Sequence, residues 1–588
     1  MNITIKDNNT FKVYMSNLDK SKLDYKKLTI FFLSLLTFAA LLLKFHLLFK
    51  ISINQDEFHY LSLVYEYLHG SLTQSLNSFH VHLFTWLSVF GLNEVDQVIG
   101  ARIVMYLLFL CTCRYIFLIG RYYFDTASAL FSILCYISFA STIVNGANFR
   151  HDTFSIFLFT LAVYHFLVKK ESYISNFLAG LAMAFAFMFT IKSAIHMTVF
   201  GGLVFIRFFL SSNFHKTIIP ISIFLLAFLI GYIIIYEFHI STIANLANAN
   251  YIQTTYKAFS TFVLFDRFFP QFKLFKFLLG ENIIIWAFLT FGFIFSAYDT
   301  LKRKNYPTSI YLLPLIFPLF SLLIYRNAFS YFYVFITAAA TIFCGYMFWK
   351  LTEIIKIKSK IICFMLIVII GGVIFKDFIS HYSAFCQNQT EAQHQTLDVI
   401  HTMFQDPVPY IDGCSMVSSF PNVGFFMSSA GMEPYLRGGK PIIEKLLDKK
   451  MPLFLLANVP HLNLHFDDPA KSYTNLAFRE EDWHTLKSYF IHHWGVIWVV
   501  GKQFEFGSEF ENYKFKITVP GVYTLEGDEK VLIDDRMINA GDTVNLETGN
   551  HSIRNQGTPC LINLRWGDHL YRPAEKPIST PIFIGPFL

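Results

Sequence analysis

The chain reads as an α-helical polytopic membrane protein of about eleven spans, followed by an extracytoplasmic α/β region and then a β-sandwich. Three observations predict this. Hydrophobic residues make up 54% of the 588 residues and charged residues only 15%, against about 25% in a soluble globular domain. Mean hydropathy is +0.45, and so much apolar surface cannot fit inside ordinary cores, so much of it must face lipid. The apolar residues gather into long runs up to residue 377, after which the texture changes to short segments punctuated by turn residues. This composition excludes a disordered chain, a collagen-like repeat and a disulfide scaffold. The small net charge of +6 is spread along the flanks of the apolar runs rather than gathered on one face, which argues against a nucleic-acid partner.

The elements follow in order. Residues 1–27 form a polar leader carrying Lys6, Lys12, Lys20, Lys22, Lys26 and Lys27. No cleavable signal peptide is expected, because the first apolar run follows this long polar leader and is too long for a signal h-region. Residues 28–377 contain runs long enough to cross about 30 Å of hydrocarbon, at 28–49, 97–119, 126–146, 152–168, 174–191, 194–210, 217–238, 282–298, 309–325, 329–349 and 360–376. Lys and Arg set the orientation. With the leader inside, alternation places Arg121, Lys169, Lys170, Lys216, Lys302, Arg303, Lys304, Lys350, Lys356, Lys358 and Lys360 on the same side. The agreement of all the basic clusters puts residues 378–588 outside. Residues 378–505 alternate helix-like and strand-like segments, at 391–404, 408–411, 451–457, 483–490 and 496–500, and read as α/β. Residues 506–588 read as a sandwich, with strands at 514–519, 521–526, 530–533, 543–546, 551–554 and 561–565 between turn signals such as Pro520-Gly521 and Gly549-Asn550. Of eight cysteines, only Cys386, Cys414 and Cys560 fall in this polar part, so no disulfide framework is implied.

The outward side carries the chemistry. The first external loop contains Asp56-Glu57 within a few residues of the first span. Acids here suit a helix N-terminus, and a carboxylate at this place also suits a general base acting on an acceptor hydroxyl or amine. Arg102 opens the second span, Arg150 and Asp152 lie between the third and fourth, Lys192 follows the fifth, and Arg326 and Tyr331 lie between the ninth and tenth. A lone cation at a span end is usually a snorkelling anchor. Four of them on the side that the positive-inside bias depletes point to a shared function, and cations beside a lipid-level cavity suit a phosphate or pyrophosphate.

The order Asp56-Glu57, Trp86, Phe90-Gly91, Arg102, Phe149-Arg150-His151-Asp152, Gly180-Leu181 and Lys192 resembles the polytopic GT-C glycosyltransferases, nearest the protein O-mannosyltransferase and aminoarabinose transferase superfamily, over roughly residues 28–350. The resemblance implies inverting transfer of a sugar from a polyprenyl-phosphate-linked donor to a lipid, protein or glycan acceptor, at the outer face of a bacterial inner (plasma) membrane. It makes Asp56 the catalytic carboxylate, Glu57 its support, and Arg102, Arg150 and Lys192 the cations near the donor phosphate. Two departures stand out. Phe79-His80-Val81-His82-Leu83 lacks the Pro common after a basic residue there, with His82 in place of the base, and the fourth span opens Arg-His-Asp where Arg-Pro-Asp is common.

His59, His69, His80 and His82 share the first loop, but their spacing forms no tight ligand set, so no cofactor is expected and a divalent metal is the lesser reading. A transporter or flippase for a lipid-linked sugar is the rival class. No internal repeat supports it, and the ionisable residues lie at one face rather than at midplane. An envelope glycan ligase or polymerase is the alternative within the enzyme class.

Overall fold

The computed structural model describes residues 25–91, 93–211, 214–243, 268–302, 308–356, 359–465, 477–578 and 580–584. Most of the leader lies outside the described residues, as do Arg303, Lys304 and Lys358 of the predicted inner loops. The chain divides into two compact units. One comprises Met1–Phe49, Thr73–His80 and Arg102–Gln387, and the other Lys50–Leu72, Val81–Ala101 and Asn388–Leu588.

The first unit is helical, and every predicted span falls on helical structure. The helices are Tyr25–Leu47, Glu94–Tyr123, Thr126–Ser138 with Ala140–Asn145, His151–Val168, Tyr173–Phe189, Ala194–Leu210, Phe214–Ser241, Ile283–Lys302, Thr308–Leu323, Ser330–Ala340 with Ile342–Lys356, and Lys360–Phe385. Among the described residues seven helices are long and apolar enough to cross a membrane, and an eighth if the pair bent by 47° at Thr341 counts as one span. Three shorter apolar helices of this unit accompany them, Thr126–Ser138, Tyr173–Phe189 and Ser309–Leu323. The protein is therefore a polytopic α-helical membrane protein. Its lipid-facing surface is legible in Phe214–Ser241, where Leu226, Ile230, Ile234 and Phe238 are exposed at every fourth residue, the spacing of one helix face. Phe224, Ala227, Gly231 and Ile235 line the buried face.

Small residues set the helix spacing, as they do where lipid supplies no hydrophobic drive for association. A Cβ on Gly180 would lie 2.2 Å from the Phe224 carbonyl oxygen, and one on Gly292 would lie 2.0 Å from that of Phe343. Two runs depart from a plain α-helix. The run at 309–325 is a 3-10 helix with Pro314 and Pro318 inside it. Each Pro removes a donor from the α ladder and clashes with the carbonyl four residues back. The run at 126–146 breaks at Phe139 (φ −60°, ψ 130°). Asn282 repairs the break by accepting from the Ala140 N–H at 2.8 Å and donating to the Ser138 carbonyl at 3.2 Å. Backbone polar groups at this depth need such partners.

The second unit joins the first loop to the C-terminal region. It holds helix Gln55–Leu68, the short turns Val81–Phe84 and Thr85–Phe90, the start of Glu94–Tyr123, and helices Glu391–Met403, Ser429–Gly438, Ile443–Lys450 and Glu480–Tyr489. Its strands are β1 (Tyr410–Ile411), β2 (Phe454–Leu456), β3 (Phe490–Trp494), β4 (Ile497–Phe506), β5 (Asn512–Ile517), β6 (Gly521–Glu526), β7 (Val531–Ile533), β8 (Arg536–Ile538), β9 (Thr543–Leu546), β10 (Gly549–Arg554) and β11 (Cys560–Trp566). One sheet runs β1-β2-β4-β11-β6-β9 with β3 also on β4, and the other runs β5-β10-β7-β8. Among the described strands only β1 and β2 pair in parallel. Alternation builds the core: Phe515 and Ile517 of β5, Val544 and Leu546 of β9, and Ile562 and Leu564 of β11 all point inward. Strand β4 belongs to both the α/β and the sandwich parts, pairing with β2 and β3 through its first half and with β11 through its second. The β7–β8 hairpin turns on Asp534 and Asp535, both at positive φ (46° and 66°), as a two-residue loop requires. The Asp534 carboxylate ties that turn to β10 by accepting from the Ser552 N–H at 2.9 Å.

Candidate active site

In the helical unit, four residues from three distant segments meet. Arg150 is the N-cap of helix His151–Val168, in extended conformation, and Asp152 lies in its first turn, where a negative charge suits the helix dipole. Lys192 sits in the 3-10 turn Ile191–Ser193, which Thr190 caps by accepting from the Lys192 N–H. Tyr331 opens helix Ser330–Ala340. Lys192 Nζ donates to Asp152 Oδ1 at 2.7 Å, and Arg150 Nε lies 3.4 Å from Asp152 Oδ2. The Arg150 guanidinium stacks on the Tyr331 ring, 3.7 Å from its centroid, and Lys192 Nζ is 5.0 Å from the same centroid. One carboxylate and one ring thus hold two cations in fixed positions, and Arg150 and Asp152 are each only 5% exposed.

Beside them, His151 Nε2 and His80 Nδ1 are 2.9 Å apart. Both rings are buried. The sequence offered no spacing that links two histidines 71 positions apart, and it singled out His82 instead. His82 belongs to the other unit, where its ring meets Tyr67 edge-on at 5.0 Å. Arg102 is buried and donates to the Leu48 carbonyl at 3.1 Å. The backbone carbonyl of Arg326 accepts from Gln271 at 3.1 Å. A further buried cation, Lys44, closes the Ala140–Asn145 helix by donating to the carbonyls of Thr142 (2.6 Å) and Ile143 (2.9 Å). A Lys in an otherwise apolar span is the one sequence signal that points to it.

The loop acids lie in the second unit. Asn54 caps helix Gln55–Leu68 by accepting from the Asp56 N–H at 2.9 Å, and the Glu57 carboxylate accepts from the Asn54 N–H at 2.9 Å. This is a reciprocal capping box, and it leaves Asp56 in the first turn of a pinned helix. Neighbours fix the helix further. Ser418 donates to the Phe58 carbonyl at 3.1 Å, and the His59 ring stacks on Phe426 at 4.4 Å. Burial holds the His59 imidazole below its usual range, against the opposing charge of Asp56. Ser418 itself rides on a turn organised by Asp412, which accepts from the N–H groups of Cys414 (3.1 Å) and Met416 (2.7 Å) and from Asn458 (3.0 Å). Burial pushes the Asp412 carboxyl up to about 6, in spite of these donors. Glu94 makes a second tie, accepting from Ser419 Oγ at 2.6 Å and pairing with His401 at 2.9 Å. Among the described residues no group of three or more His, Cys, Asp or Glu side chains is arranged to hold a metal ion.

Residues 79–239 match the family model described as dolichyl-phosphate-mannose-protein mannosyltransferase. That segment carries His80, His82, Arg102, Arg150, Asp152 and Lys192, and it begins after Asp56 and Glu57. Among solved structures, the apo oligosaccharyltransferase of Archaeoglobus fulgidus aligns with 89% of this chain and 94% of its own, at a TM-score of 0.53 and 9% identity. ArnT from Cupriavidus metallidurans, bound to undecaprenyl phosphate, aligns with 67% of this chain and 85% of its own, at a TM-score of 0.47 and 11% identity. No curated protein gives a significant sequence match. Residues 79–239 are thus similar to a membrane mannosyltransferase family, and the chain has a GT-C fold like that of the oligosaccharyltransferase.

Proposed function

We propose that the protein transfers a sugar from a polyprenyl-phosphate-linked donor to a lipid, protein or glycan acceptor at the outer face of the membrane, with inversion. The observation that carries this reading is the pair of cations, Arg150 and Lys192, held on Asp152 and Tyr331 at one end of a membrane-crossing helix. The matched family takes its name from a dolichyl-phosphate sugar, a donor of this class. In the step proposed, Asp56 takes the acceptor's proton as the acceptor oxygen or nitrogen bonds to the anomeric carbon. The glycosidic C–O bond breaks on the opposite side, and its electron pair leaves with the polyprenyl phosphate. That phosphate gains charge in the transition state, where preorganised cations lower the barrier. Arg102, Arg150 and Lys192 serve there, and Glu57 keeps Asp56 oriented through the capping box. His82, Arg326 and Tyr331 complete the substrate-binding set. The C-terminal region and the first loop then lie on the outer side.

The test is sugar transfer by purified full-length protein in detergent. Asp56→Asn keeps size and hydrogen-bonding capacity but removes the base, so transfer should fall by about 10² to 10⁴. Glu57→Gln keeps the capping geometry and should cost less. Wild-type rates from Asp56→Asn overturn the base assignment. Movement of lipid-linked sugar across liposomes without any transfer overturns the enzyme reading in favour of a flippase.

A further inference from the structure

Helix His151–Val168 has 18 residues and is about 27 Å long at 1.5 Å per residue. Arg150 and Asp152 stand at one end, and Lys170 follows the other. At that second end the ends of four helical segments surround a cavity of about 490 Å³, within the range of ligand pockets. Its lining includes Lys170, Arg207, Ser211, Lys216, Thr217 and Tyr311. Three of these are cations, and Glu171 is the one acid in the lining.

Arg207 separates this site from an ordinary basic loop. It lies inside helix Ala194–Leu210 and is only 8% exposed. Among the described residues its partners are uncharged: the guanidinium stacks on the Phe166 ring at 3.7 Å, and it donates to the Phe166 carbonyl and to Asn176 Oδ1. These two bonds use two of five N–H donors. A charge kept within a span without a carboxylate partner marks a functional position. Asn176 also donates to the Lys170 carbonyl at 3.0 Å, which ties the Lys170 turn to the arginine. Lys170 Nζ is held 5.1 Å from the Tyr311 ring centroid. One side of the lining carries outward-facing apolar surface. The lining residue Tyr173 is 57% exposed, and Ile174 beside it is 73% exposed. A soluble anion would gain nothing from Tyr173 and Ile174, whereas acyl chains would lie along them.

We propose that this cavity binds the phosphodiester headgroup of an anionic phospholipid, taken from the leaflet opposite the Arg150–Lys192 cluster. Arg207 and the two lysines meet the phosphate, the Ser211 and Thr217 hydroxyls lie beside it, and the acyl chains leave past Tyr173 and Ile174. The inference stands whether or not the chain transfers sugars.

Full-length protein in detergent is titrated with phosphatidylglycerol, with phosphatidylcholine and with inorganic phosphate, and bound lipid is counted by native mass spectrometry. Tight binding of one phosphatidylglycerol is expected, with phosphatidylcholine and phosphate much weaker. Lys170→Gln with Lys216→Gln should weaken it about 10- to 30-fold, from two cations lost near a membrane surface. Lys170→Arg with Lys216→Arg should restore it. Both pairs change the rim rather than the buried Arg207, and their melting without lipid checks that they fold. Undiminished binding in the glutamine pair overturns the proposal. Equal binding of phosphatidylcholine does so as well, and competition by millimolar phosphate reassigns the site to a soluble anion and refutes the lipid.

Discussion

Asp152→Asn keeps the size of the side chain and removes the carboxylate that Arg150 and Lys192 share. The side chains of Asp152, Arg150 and Lys192 are 7%, 5% and 19% exposed, so water screens the pairs little. Breaking a buried ion pair from one side costs about 3–5 kcal/mol. Two features place this case at the lower end. Lys192 reaches solvent more than its partners do, and the Arg150 contact is long at 3.4 Å against 2.7 Å for Lys192. The expected loss is therefore about 3 kcal/mol. It is measured as the shift in unfolding of the full chain on titrating sodium dodecyl sulfate into mixed micelles. Lys192→Gln and the double variant complete a cycle, whose coupling should be about 1–3 kcal/mol. If Asp152→Asn unfolds within about 0.5 kcal/mol of wild type, the size of a surface change, the carboxylate does not hold the cations and the preorganisation argument fails with it.

Gly180→Ala should destabilise by about 1–3 kcal/mol through overpacking, because its Cβ would meet the Phe224 carbonyl oxygen at 2.2 Å and Ala227 Cβ at 2.9 Å. The same titration reads it, and Gly201→Ala, with nothing within 4 Å, should be neutral or slightly stabilising. The His401–Glu94 pair should make the second unit sensitive to pH. Burial alone would lower His401, but the hydrogen bond and charge of Glu94 raise it above 6.5. Its stabilisation is then fully present below about pH 6.5 and lost as pH rises through the higher folded value. Amide exchange in Glu391–Met403, corrected for intrinsic rate, should quicken across that rise, and Glu94→Gln should remove the step.

Local pattern carried the fold far. All eleven apolar runs fall on helical structure, and strand Gly521–Glu526 lies where alternation and Pro520-Gly521 put it. Proline explains why the run at 309–325 is a 3-10 helix, a detail that hydropathy does not encode. The site was legible only in part. Arg150 and Lys192 stood out singly, by charge and side, and Tyr331 by side, but the pairing of both cations with Asp152 and the Tyr331 ring depends on how three helical segments pack. The His80–His151 contact spans 71 positions and the Glu94–His401 pair 307. No periodicity reaches so far. The grouping of the first loop with the C-terminal region rests on contacts such as Ser418 to Phe58, made by residues with no local signature.

Strand β4 also bears on how the C-terminal region can come apart. Its second half lends a full edge to β11, from Phe506 opposite Cys560 to Gly501 opposite Arg565. A protease cut near residue 506 would therefore release no independent sandwich. It would strip β11 away and leave six consecutive backbone positions of β4 seeking a partner, the kind of bare edge that recruits other chains. The eleven strands should melt and refold as one cooperative block, with limited proteolysis yielding either the intact region or aggregate and no stable half.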